Sequence, residues 1–238
     1  MFVTGQSYTI EESFKRIKDE IAQAAVKAGR NPDDVKLMAV TKTVAPELVN
    51  AAINVGADLI GESKVQEYLS KKDEIDLTRC KVHFIGHLQT NKVRQIVGEV
   101  AMIQSADSVR LAREIGRRSV SKGIVSDILL EVNIGKEESK FGFKPSEVYE
   151  KACEISEIEG VKIQGLMTLP PFDATKEQTT AFFSNIRQLF IDIREKKIHN
   201  VTMSVLSMGM SGDYREAVIA GSTLVRVGTA IFGARRYN

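Results

Sequence analysis

Eight short runs of apolar and β-branched residues, separated by helix-like stretches, constrain the fold more than any other feature of this chain. They are Lys36–Lys42, Asp58–Glu62, Val82–Gly86, Met102–Ser105, Asp127–Asn133, Ile163–Leu169, Val205–Met210 and Leu224–Thr229. Several are apolar along their length rather than alternating, the pattern of parallel strands buried on both faces. Between them lie helical patterns such as Pro46–Val55, with proline in its first turn, and Glu177–Arg194, with Phe182, Ile186, Leu189 and Ile193 on one stripe. Eight strand–helix units predict an α/β chain folded as a single (β/α)8 TIM-type barrel. An open doubly wound sheet is the alternative, because periodicity does not report closure. One extra helix precedes the first unit. Thr9-Ile10-Glu11-Glu12 has capping-box spacing, and Ile10, Phe14, Ile17 and Ile21 share a face before Gly29 ends it.

A chain of 238 residues is long enough for one barrel, and no Pro- or Ser-rich linker divides it, so residues 1–238 read as one domain. A net charge of +2, from 33 basic and 31 acidic residues without a long basic run, points away from nucleic-acid and membrane surfaces. The amino terminus becomes charged too early for a signal peptide, and no 18-residue apolar stretch follows. Cys80 and Cys153, with no CxxC spacing, read as two reduced thiols. The expected compartment is the cytoplasm.

In a barrel, residues at the carboxyl ends of the strands face the site. That rule selects Lys42, Glu62, His83 with His87, Asn133, Met167, Ser207 and Arg226. Lys42 closes an apolar strand; it either snorkels to solvent or stands in the mouth, where desolvation favours the neutral, nucleophilic amine. Arg226 lies inside the last strand and stays charged, so an inward position requires an anion or acceptor, or else an ion pair with Glu62 or Glu131. His83 and His87 straddle a strand end and have no third ligand at a metal spacing, so no metal site is expected. His199 reads as surface, Met167, Met208 and Met210 as packing, and Lys140 as a solvated loop lysine within reach of the mouth.

Two turns near the end carry the strongest local signal. Leu206-Ser207-Met208-Gly209-Met210-Ser211-Gly212-Asp213 and Leu224-Val225-Arg226-Val227-Gly228-Thr229 each start as a strand and end in glycine with serine or threonine. Glycine permits close backbone approach, and hydroxyls and free amides at such turns suit an anion. They resemble the phosphate site after strands 7 and 8 of a barrel. With Lys42, they describe a site for a phosphorylated aldehyde or ketone.

These segments, with Ala39-Val40-Thr41-Lys42-Thr43, Gly61-Glu62-Ser63-Lys64-Val65-Gln66-Glu67, His83-Phe84-Ile85-Gly86-His87-Leu88-Gln89-Thr90-Asn91-Lys92, Gly165-Leu166-Met167 and Gly221 to Gly233, resemble the pyridoxal-phosphate homeostasis proteins (the YggS/PROSC family). The resemblance runs from about Lys36 to Arg235. It implies a barrel like the amino-terminal domain of alanine racemase, with pyridoxal 5′-phosphate held on Lys42 as a Schiff base. It further implies a phosphate cradle of Ser207, Gly209, Ser211, Gly228 and Thr229, and Arg226 facing the pyridine nitrogen. The family commonly has Asn where this chain has Ser63, so Ser63 receives no role. A cationic partner at the ring nitrogen makes the ring a weaker electron sink than an aspartate would. A racemase also needs a second domain supplying a tyrosine base, and the chain ends at Asn238, nine residues after Thr229. Tyr68, Tyr149 and Tyr214 stand in no recognisable motif for that task. The expected function is therefore to buffer or deliver the cofactor, without a catalytic cycle, with client apo-enzymes as partners and a monomer favoured. An amino-acid racemase, or a Schiff-base aldolase, is the alternative.

Overall fold

All eight strand-like runs form strands, and hydrogen bonding carries each to the next and the last back to the first, so the sheet closes. The computed structural model describes residues 8–135 and 141–234. The strands are β1 (Lys36–Val40), β2 (Leu59–Glu62), β3 (Lys81–Phe84), β4 (Met102–Ala106), β5 (Ser126–Val132), β6 (Val161–Thr168), β7 (Val201–Ser207) and β8 (Leu224–Val227). Every pairing is parallel, including β1 with β8, where Ala39 lies opposite Val227. The open-sheet alternative is excluded.

Helices cover the outside: α1 (Ile10–Lys27), α2 (Pro46–Asn54), α3 (Val65–Lys71), α4 (Val93–Ile96), α5 (Val109–Ser121), α6 (Val148–Ser156), α7 (Lys176–Glu195), α8 (Tyr214–Ile219) and α9 (Thr229–Phe232). The expected capping box opens α1, with Glu12 N–H donating to Thr9 Oγ1 and Thr9 N–H to Glu12. Gly29, at φ +68°, accepts the left-handed conformation that stops the helix. α1 is the additional helix and packs against α2, α8 and α9.

Side-chain direction alternates along the strands, and both faces are buried. Leu37, Ala39, Ile60, Val82, Phe84, Leu206 and Val225 point outward into the core beneath the helices. Met38, Leu59 and Leu224, with Met102, Leu129 and Met167, fill the inside. Met167, placed at the mouth by its position, is thus interior packing.

Several strand ends, and the buried face of α7, differ from the sequence reading. β1, β7 and β8 stop two to three residues early, so Lys42 and Met210 occupy loops and Thr229 opens α9 rather than ending a strand. β7 begins at Val201 because Val201–Ser204 is a part-polar strand start. It carries Met203 at φ +46° and packs against a bulge at Gly165, where a Cβ would meet Val205 O at 1.8 Å. On α7 the buried stripe is Phe183, Ile186, Phe190 and Ile193, with Phe182 and Leu189 at its edge. Both stripes share the two isoleucines; turning the helix slightly buries two rings instead of one ring and a leucine.

Candidate functional site

Where β1 and β8 end side by side, the two chains turn away from each other and open a cleft of about 420 Å³. Val40, Lys42, Thr43, Leu48, Gly228 and Thr229 line it. The structure therefore brings Lys42 and the turn after β8 together, as the sequence reading expects.

The turn carrying Lys42 is held from below by buried charge. Lys71 on α3 donates through Nζ to Thr41 O at 2.8 Å and Val44 O at 3.3 Å, the carbonyls on either side of Lys42 and Thr43. The same ammonium pairs with Glu62 at 2.9 Å and Glu67 at 3.0 Å. Glu62 Oε1 also accepts from Thr41 Oγ1, and Glu67 accepts from the Thr43 N–H. Thr43 sits at φ +61°, a left-handed conformation unfavourable for a β-branched residue, so the surrounding bonds must hold it there.

This arrangement corrects the expectation for Glu62. Strand alternation turns its side chain outward, under α3, and it lines neither the mouth nor an ion pair with Arg226. Burial pushes its carboxyl up, and Lys71 and Thr41 partly offset that shift. Glu62 Oε2 has no hydrogen-bond partner. Lys71 and Glu67 went unrecognised because a lysine on a helix reads as solvated; only the i,i+4 spacing of Glu67 and Lys71 hinted at a pair.

The turns after β7 and β8 lock onto each other. Ser211 Oγ accepts from the N–H groups of Gly228 at 3.2 Å and Ala230 at 3.4 Å. The hydroxyl oxygen thus occupies the position of an acceptor that two convergent amides want. Gly209, at φ +94°, brings its own turn against α8, where a Cβ would meet Ala217 at 2.5 Å. Thr229 is exposed at the cleft, at the start of α9.

Ser207 lies elsewhere, buried inside the barrel. Its hydroxyl accepts from Arg226 Nη1 at 2.5 Å and donates to Gln104 Oε1 at 2.7 Å. Arg226 Nη2 donates to Thr168 O at 2.8 Å. Arg226 is 4% exposed, and burial lowers it to about 10 while Asp213 and Glu131 act against that shift. Glu131, inward on β5, is raised to about 7 by burial and Asp107, with Arg226 opposing. A charged guanidinium thus stands in the barrel axis, bonded to neutral oxygens.

The two histidines separate. His83 points into the barrel toward a cavity at the opposite, amino-terminal end, not into the mouth. His87 stays on the rim, 3.0 Å from Asp107 and stacked on Phe141 at 3.5 Å. Asn133 follows β5 on the mouth side. Lys140 lies outside the described residues. Cys80 and Cys153 are free, and burial drives the Cys80 thiol up to about 12. Among the described residues no helix is long and apolar enough to cross a membrane.

The tyrosines left open by sequence all face away from the cleft. Tyr68 is buried on α3 and donates to Glu99 O at 2.9 Å; burial pushes it up to about 12. Tyr149 lies on α6 under the Lys196 ammonium, and Tyr214 bonds Glu20 of α1.

Comparison with known proteins agrees with this geometry. Residues 13–236 match the family model described as alanine racemase, N-terminal domain. The chain is 40% identical over 226 residues to the pyridoxal phosphate homeostasis protein of Aquifex aeolicus, covering 95% of this chain and 98% of that one. It is 34% identical to the protein of the same name from Escherichia coli K12, over 96% and 98% of the two chains. PipY from Synechococcus elongatus, solved with PLP bound, superposes with a TM-score of 0.78 at 32% identity, over 90% of this chain and all of that one. An alanine racemase from Clostridium difficile shares the fold at a TM-score of 0.75 and 16% identity, and this chain spans 57% of it. The chain belongs to the alanine racemase N-terminal domain family and, within it, to the pyridoxal phosphate homeostasis proteins.

Proposed function

We propose that this protein binds pyridoxal 5′-phosphate reversibly at the β1–β8 cleft and buffers or delivers it, without turning over amino acids. The observation that carries the reading is the shared cleft: a primary amine, Lys42, faces a turn whose amides and hydroxyls suit an anion. When bound, the cofactor supplies an aldehyde that condenses with primary amines and a phosphate that anchors it.

The residues fit that group. Lys42 presents its amine from a turn that Lys71, Glu62 and Glu67 hold in place. Gly228, Ala230, Ser211 and Thr229 form the phosphate end, the amides donating in place of, or alongside, the Ser211 hydroxyl. Gly209 permits the close turn behind them. Arg226 is the partner of the ring nitrogen, and Ser207 serves through Arg226 rather than as a phosphate ligand. Because Arg226 stays protonated at neutral pH, it discourages protonation of the ring.

Two tests follow from these roles. Removing the Ser211 and Thr229 hydroxyls together should weaken pyridoxal phosphate by about a hundredfold or more, at ~1.5–3 kcal/mol per charge-assisted bond, while pyridoxal weakens little. Equal loss for both ligands, measured by equilibrium titration, would place these residues outside the phosphate end. The carrier reading is tested by solvent-deuterium exchange at Cα of alanine. Racemisation needs an acid or base on each face, and the three candidate tyrosines are engaged elsewhere. Exchange no faster than with free cofactor is expected. Faster exchange, lost in Lys42→Ala, would make this chain an enzyme.

A further inference from the structure

Four polar side chains inside the barrel, Arg226, Ser207, Gln104 and His83, are joined in one run whose direction chemistry fixes. A guanidinium only donates, so Arg226 Nη1 gives a proton to Ser207 Oγ. The serine O–H must then point to an acceptor, and Gln104 Oε1 stands at 2.7 Å. That leaves Gln104 Nε2 facing His83 Nδ1 at 2.9 Å, where an amide donor needs a lone pair. A neutral His83 then carries its proton on Nε2. Burial, with Lys36 and Lys81 nearby, lowers its basicity to about 4 and keeps it neutral. Ser207 and Gln104 are fully buried, so no solvent competes for these bonds.

The amide has two orientations, and Ser207 selects one. Turned end for end, Gln104 would offer NH2 to a serine already accepting from Arg226 and leave the serine O–H without its acceptor, while His83 would follow by carrying its proton on Nδ1. The wrong contact at Ser207 leaves a buried polar group without its partner. The His83 ring lies at a cavity of about 700 Å³ at the amino-terminal end of the barrel, opposite the Lys42 cleft.

We infer that Gln104, which also donates to His83 behind it, is the positioning residue for Arg226 through Ser207, so that the guanidinium is presented to the ring nitrogen in one geometry. This rests on the cofactor reading given above. The test uses pyridoxal phosphate and an analogue with C–H in place of the ring nitrogen. Gln104→Met should lower affinity for pyridoxal phosphate about tenfold, one buried hydrogen bond's worth, and leave the analogue nearly unchanged. Equal loss for both would reduce Gln104 to a packing role and overturn the proposal.

A second variant reads the chain without any cofactor. Gln104→Glu keeps an oxygen for Ser207 and, when ionised, sets another against His83 Nδ1, so the ring then takes a proton there as the other tautomer or as imidazolium. Nitrogen-15 spectra resolve this readily among only three histidines. Nδ1 protonated in Gln104→Glu and bare in the natural protein is expected. An unchanged His83 beside an introduced carboxyl that its carbon-13 shift shows to be ionised would show that Gln104 does not face it as described. If neither ligand binds the natural protein, the cofactor reading falls and takes the positioning role with it, while the His83 spectrum still reports the direction of the chain.

Discussion

Lys42→Ala is expected to abolish the absorbance change that pyridoxal phosphate shows on mixing with this protein, with the fold intact. The side chain is half-buried in a turn and belongs to no apolar cluster, so its removal should cost about 1 kcal/mol of stability, too little to unfold the barrel. Lys71, Glu62 and Glu67 act on the backbone and on Thr41 and Thr43, so the turn keeps its shape without the Lys42 amine. In the natural protein, borohydride reduction and peptide mapping should place the pyridoxyl group on Lys42. Phosphate and ring contacts should survive in the variant as weak binding without covalent capture. A label recovered mainly on Lys64 or Lys92 would remove Lys42 from its role; Lys64 is exposed before α3, and Lys92 is half-buried beside α4.

What the sequence made legible follows from what repeats. Strand–helix alternation recurs eight times, so the barrel and its extra helix could be read from period and punctuation. The meeting of Lys42 with the glycine–hydroxyl turn at Gly228 and Thr229 was also readable, because a lysine at a strand end and glycine–hydroxyl turns are local patterns with a chemical reason. Side-chain direction was not. The strand-end rule placed Glu62, His83 and Ser207 together at the mouth, yet one residue of alternation turns Glu62 out beneath α3, and depth within the barrel moves His83 and Ser207 below the cleft. Gln104 carried no sequence signal at all, since a lone glutamine inside an apolar run acquires meaning only from the neighbours that closure brings to it. Lys71 escaped for the opposite reason: its partners Thr41, Val44 and Glu62 lie too far back in the chain for helix spacing to show.

Lys71→Met should be destabilising in a pH-dependent way, because it leaves the Glu62 carboxyl buried without its cation. Burial already holds that carboxyl above its ordinary value, with Lys71 pulling it down. Without the ammonium it rises further, each additional unit equivalent to ~1.4 kcal/mol. An unfolded glutamate titrates near about 4.3, so above that pH the folded variant binds more protons than the unfolded chain. Its stability therefore falls as pH rises from about 4.3 to the new folded value, and levels off beyond it. At neutral pH the loss should approach ~3–5 kcal/mol, as for other broken buried pairs. At the acid end only the bonds to Thr41 O and Val44 O are missing, and the gap should narrow. Urea unfolding near about pH 4.5 and about pH 7.5 measures both ends. Glu67 also loses a partner, but it is only half-buried and reaches water. Adding Glu62→Gln, which keeps an oxygen for Thr41, should flatten the pH dependence and recover part of the loss. A double variant as pH-dependent as Lys71→Met alone would show that another group, not Glu62, feels the missing charge. Because the same ammonium holds the two carbonyls around Lys42, the double variant should remain slower than the natural protein in covalent capture of pyridoxal phosphate. That residual defect separates the grip on the Lys42 turn from the cost of a buried, unpaired carboxylate.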